Sequence, residues 1–145
     1  MIICLFFLAC KENEKKTTTT ETKSPADSLL HEVNEGHDAV MPKMSKVRGA
    51  QKELQRMIDS ISTLPEKTQK ASASLKARME ELVNQLNYAD FAMDKWMMEF
   101  NRDSALSNIQ DRIKYLTEEK LKVDKVKDAV LTGLARADSI LKSKF

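Results

Sequence analysis

From residue 26 onward the apolar positions step by four and three, the spacing that keeps side chains on one face of an α-helix. The first such seam is Ala26, Leu30, Val33, His37, Val40, Met44, Val47, Gln51, Leu54, Ile58 and Ile61. Ser24, Pro25 and Asp27 supply its start: a side chain that caps free amides, a ring that suits the first helical position, and a carboxylate at the positive end of the dipole. Ser62-Thr63-Leu64-Pro65-Glu66 breaks the seam, and Thr63 with Glu66 has capping-box spacing for a second helix. The second seam is Leu75, Met79, Leu82, Leu86, Ala89, Met93, Trp96 and Phe100, widened by Val83, Ala92 and Met97. Asn101-Arg102-Asp103-Ser104 ends it, with Asp103 as the expected cap of a third helix. That helix carries Leu106, Ile109, Ile113, Leu116, Val123, Val130, Leu134, Ala137 and Leu141, and Lys120 and Lys127 interrupt its middle.

Three helices of about 36 to 40 residues would each run about 55 to 60 Å. Joined by short connections, they pack as antiparallel neighbours. The predicted fold is therefore all-α, an up-down-up three-helix bundle of long amphipathic helices, with a dimerising two-helix protomer as the alternative. Composition points the same way: 3 Gly, 3 Pro and 32% charged residues favour long helices over strands and turns. Gln51 and Lys127 come to similar heights, and Lys127 is expected to reach out to solvent.

The N-terminus follows another logic. Ile2 to Leu8 and Ala9 form a short apolar run ending in a small residue, and Cys10 follows directly. That order is expected of a lipoprotein signal, cleaved before a cysteine that is then acylated. No Lys or Arg precedes the run and Phe7 stands where leucine is usual, so the expectation includes a start upstream of Met1. The run is far shorter than the ~20 residues of a spanning helix. Residues 11–24 hold charged residues and Thr17 to Thr20 but no large apolar side chain, the composition of a disordered tether. The expected division is a signal segment at 1–9, a lipidated cysteine and tether at 10–24, and a helical domain at 25–145. Cys4 leaves with the signal and Cys10 carries lipid, so no disulfide framework is expected.

Catalysis finds little support. His31, Glu32 and His37 resemble a zinc-protease helix only loosely, because a six-residue spacing puts the histidines about 240° apart. There is no Gly-rich phosphate loop and no cysteine pair with zinc spacing. The 24 Lys plus Arg and 22 Asp plus Glu are interspersed, which leaves no footprint for nucleic acid. Pro42, inside the first helix, removes one hydrogen bond and kinks the axis. Folding the hairpins brings His37 near the level of Met93, with Met41 and Met97 within about a turn. Imidazole and thioether ligands suit copper, so His37, Met41, Met93 and Met97 form the alternative, metal-binding expectation. Core packing is the simpler account of the methionines, and of Trp96 and Phe100 on the seam. Met98 falls off it and is expected to be exposed.

The segments His37-Asp38-Ala39-Val40-Met41-Pro42-Lys43-Met44 and Ala92-Met93-Asp94-Lys95-Trp96-Met97-Met98-Glu99-Phe100 resemble those of small helical lipoproteins from Bacteroidota-type bacteria. Some members of that family carry the inherited name viral A-type inclusion protein. The resemblance covers most of the chain and implies an envelope location and a helical fold, with no catalytic residue to carry over. The resulting expectation is a non-enzymatic bundle at the outer membrane, held to the membrane by its N-terminal lipid. It would need no cofactor and would meet a protein partner, or itself, through its helices. A copper-binding protein of the envelope is the alternative.

Overall fold

The computed structural model describes residues 24–143. The expected signal segment, Cys10 and the tether up to residue 23 lie outside the described residues. The elements are α1 (Pro25–Val40), a 3₁₀ turn at Met41–Lys43, α2 (Met44–Ser62), α3 (Glu66–Glu99) and α4 (Ile109–Lys142), with no strand among the described residues. α1 and α2 form one arm interrupted by the 3₁₀ turn at Met41–Lys43, so the molecule is an all-α, up-down-up bundle of three long rods. α1 packs chiefly on α4, α2 chiefly on α3, and α3 on α4.

Local chemistry accounts for the ends. Ser24 Oγ accepts the amide of Asp27 at 3.1 Å, which opens α1. Pro42 has no amide hydrogen to return to Asp38, and the chain tightens there into the 3₁₀ turn. Two expected caps are corrected. Thr63 does not cap α3: its hydroxyl turns back to the Ser60 carbonyl at 2.8 Å, and Pro65 occupies the cap position. Asp103 does not cap α4 either, because Asn108 Oδ1 accepts the amides of Gln110 and Asp111 at 2.9 and 3.3 Å. The intervening loop contains Ala105 at φ 57°, and the buried guanidinium of Arg112 donates to the Ser104 carbonyl at 2.7 Å.

The core follows the seams, with Val33, Val47, Leu54, Met79, Leu82, Leu86, Met93, Leu116, Val123 and Val130 fully enclosed. Burying each such side chain is worth about 1.5–3 kcal/mol. On α4 the inward row is Leu116, Glu119, Val123, Val126, Val130, Gly133, Ala137 and Ile140. Lys120 and Lys127 flank this row, and both bond Asp124. Two glycines permit close approach: a Cβ on Gly36 would stand 2.9 Å from Val123 Cγ1, and one on Gly133 2.8 Å from Leu86 Cδ2.

Four seam residues are exposed: Leu75, Met97, Leu106 and Ile109. Leu106 is exposed because it lies in the loop before α4, and Ile109 is exposed as the first residue of that helix. Leu75 is also exposed. Arg136 faces Glu81 and Gln85, and α4 ends at Lys142, less than two turns further on. Leu75 lies past that end, where α2 alone can cover it.

Candidate functional site

Two features stand out from the packing of the rods. The first is a ladder of rings where α1, α3 and α4 meet. The His37 ring packs on Trp96 with centroids 5.7 Å apart, Trp96 stacks on Phe100 at 4.9 Å, and Phe100 lies parallel to Tyr115 at 6.3 Å. Trp96 and Phe100 are on consecutive turns of α3, with Phe100 ending the helix in extended backbone, which brings their faces together. The Trp96 indole donates to Glu119 Oε2 at 2.9 Å, and Lys122 Nζ donates to Glu119 Oε1 at 2.7 Å. Glu119 is 4% exposed, so both of its oxygens are satisfied inside the bundle. Its carboxylate holds the Lys122 ammonium above the ordinary lysine value, chiefly through their hydrogen bond. At the far rung, Tyr115 Oη accepts the amide of Asn101 at 2.8 Å.

The sequence-derived metal set is distributed around this ladder. His37 is half-buried, and its Nδ1 lies 2.8 Å from Asp38 Oδ1. It stands at the level of Trp96, three residues beyond Met93. Met41 is half-buried against the core, Met93 is fully enclosed, and Met97 is 38% exposed. Among the described residues, no three His, Cys, Asp or Glu side chains converge on a point that would hold a metal ion.

The second feature is the outward face of α3. Tyr88, Phe91 and Met98 are 63%, 64% and 79% exposed. Intervals of three and seven place them on one side of the helix, away from the seam. Lys95 and Asn84 continue the same row. Beside Tyr88, the junction of α3 and α4 opens into an apolar-walled groove of about 380 Å³, bounded by Asn84, Ala129, Thr132 and Gly133. Sequence reading had identified Met98 alone on this face. Tyr88 and Phe91 were passed over, although their spacing to Met98 already marks a second row roughly opposite the core-facing one. Glu119 was missed too, since a carboxylate in a helix rich in charge gives no signal until its place between Leu116 and Val123 is read as inward.

Chemically, the ladder is saturated: its carboxylate, indole and phenol are engaged with one another or with backbone. The α3 face instead offers contact area. Compared with known proteins, the chain is matched by no protein-family model, no curated protein and no solved structure.

Proposed function

We propose that this chain is a lipid-anchored, non-catalytic helical bundle of the cell envelope, acting as a structural or interaction module at the outer membrane. The observation that carries the reading is Cys10, set between the apolar run ending at Ala9 and a polar stretch leading to the first helix. Acyl chains bury methylenes at about 0.8 kcal/mol each, so more than one chain makes attachment stable. No described helix is long and apolar enough to cross a membrane. The exposed aromatic row on α3 supports the interaction role, since large apolar side chains aligned on one face characterise contact surfaces.

Fractionation of cells combined with mass spectrometry of the mature N-terminus tests this reading. Acylated Cys10 in the membrane fraction is the expected result; an unmodified Met1 in the soluble fraction would refute it.

The pairing of Asp38 with His37 favours a second reading, copper binding in the envelope. A carboxylate on Nδ1 orients an imidazole so that Nε2 can serve as a ligand. Met41, Met93 and Met97 would supply thioethers, the soft donors that Cu(I) prefers. Anaerobic Cu(I) competition titration decides it: submicromolar affinity lost in His37→Ala supports the reading, and weaker binding or no loss removes it.

A further inference from the structure

We infer that the outward face of α3 is a self-association surface on which a second copy of this chain docks antiparallel, with the two-fold axis passing between Asn87 and Tyr88. This deepens the interaction-module reading by naming the partner, and it rests on that reading but not on acylation.

The argument begins with the row itself. Ala77, Glu80, Asn84, Tyr88, Lys95 and Met98 all follow one exposed side of α3, together with Phe91. Its two ends differ. Toward the N-terminus the row carries the small Ala77 and one carboxylate, Glu80, flanked by Lys76; toward the C-terminus it carries the large Phe91 and Met98 and one ammonium, Lys95, flanked by Glu99. A surface graded in this way is complementary to itself only when the second copy runs in the opposite direction, which a two-fold axis across the helix provides.

The proposed register makes each pairing explicit. Lys95 meets Glu80 of the second copy, so opposite charges face each other at both ends. Met98 lies over Ala77, a large side chain against the smallest one available in the row. Phe91 meets Asn84, and its ring falls beside the groove that Asn84 and Tyr88 border with Ala129. The two Tyr88 rings come side by side at the centre. Parallel docking in the same alignment would instead set Lys95 against Lys95 and Glu80 against Glu80, a like-charge arrangement that selects against it. The existing partners of these charges are weak, since Lys76 is 3.9 Å from Glu80 and Glu99 is 3.8 Å from Lys95, both on exposed helix surface.

Sedimentation velocity on the full chain, over a concentration series reaching about 0.1 mM, reads the association directly, as expected for a small interface. The wild type is expected to move from monomer to dimer across the series. Lys95→Glu should weaken association at least tenfold, as should Glu80→Lys. The double variant should recover it, because in antiparallel docking the reversed charges meet each other. Far-ultraviolet circular dichroism should be unchanged in all three. A wild type that stays monomeric, or a double variant no better than the single ones, would overturn the inference.

In cells expressing the full chain, Tyr88→Cys treated with a short bismaleimide should give an adduct of twice the chain mass beyond any that the wild type gives through Cys4 or Cys10, and Leu121→Cys on α4 should give no more than the wild type. An adduct joining Tyr88→Cys to a different protein also overturns self-association, while leaving the broader interaction reading standing.

Discussion

The indole of Trp96 donates to a carboxylate, that of Glu119, which is 4% exposed and lies 2.9 Å away on the neighbouring helix. A charged group in the core is tolerable only because Trp96 and Lys122 both bond it. Removing the acceptor should leave the buried indole N–H unpaired. Glu119→Ala is therefore expected to cost about 1–3 kcal/mol. Glu119→Gln keeps an oxygen for the indole and loses only the charge-assisted bond to Lys122, so its cost should be smaller. Urea unfolding followed by fluorescence suits the comparison, because the chain has 1 Trp and it is the residue in question. Equal losses in the two variants would argue against the bond to Trp96 as the stabilising element.

The glycines make opposite predictions within one arm. At Gly36 an added methyl would press on Val123 Cγ1 at 2.9 Å, and a β-branched side chain in a packed core has little room to turn away. Overpacking costs about 1–3 kcal/mol, against about 1 kcal/mol gained from helix propensity, so Gly36→Ala should be neutral to destabilising by about 2 kcal/mol. At Gly49 nothing lies within 4 Å. Gly49→Ala should stabilise by about 0.5–1 kcal/mol, the propensity gain alone. Thermal melts of the two variants beside the wild type check the sign of each.

Asp124 gives the pH dependence. Hydrogen bonds from Lys127 and then Lys120 hold its carboxylate below the ordinary value of 3.8. A carboxylate whose folded pKa is lowered contributes stability that is fully present above its unfolded value and lost as pH falls through its folded value. The two lysines and Asp124 are about a third exposed, so solvent screening limits the contribution to about 1 kcal/mol or less. Asp124→Asn should be less stable than the wild type at neutral pH by that amount. The gap should close below pH 3.8, which paired urea titrations at neutral and acidic pH would measure. A gap that stays constant with pH would assign the loss to packing instead of charge.

Most of the fold was legible because one physical rule dominates it. Steps of three and four placed Val33, Leu54, Leu82, Met93 and Val130 in the core, where they are fully enclosed. Where the reading failed, a second factor had overridden the period. Lys120 and Lys127 looked like breaks in the seam of α4, yet the inward row passes beside them through Glu119 and Val126, and finding it requires knowing that a glutamate has a buried donor waiting. Thr63 and Asp103 had capping side chains at plausible spacing, but Pro65 and Asn108 set the helix starts, a choice made by the loops. The α3 face carrying Tyr88 and Phe91 was legible as a row, since their spacing to Met98 puts all three opposite the seam, but its exposure follows only from the three-rod packing, which leaves that side uncovered.

The loop between α3 and α4 carries the last prediction. Ala105 adopts φ 57°, left-handed backbone that costs a residue with a Cβ about 1–2 kcal/mol. Glycine removes that cost but adds about 0.5–1 kcal/mol of unfolded-state entropy. Ala105→Gly should therefore stabilise the chain by at most about 1.5 kcal/mol. Arg112 holds the same loop from the first turn of α4, where its buried guanidinium donates to the Ser104 carbonyl. Arg112→Met should fill the volume but leave that carbonyl without its donor, at a cost of about 1–3 kcal/mol. The two effects concern one short segment, so they should couple: once Arg112 no longer fixes the turn, relief at Ala105 should matter less. A double-mutant cycle in urea measures this directly. Additive losses and gains would mean that the arginine steadies α4 alone and that the left-handed turn is set without it.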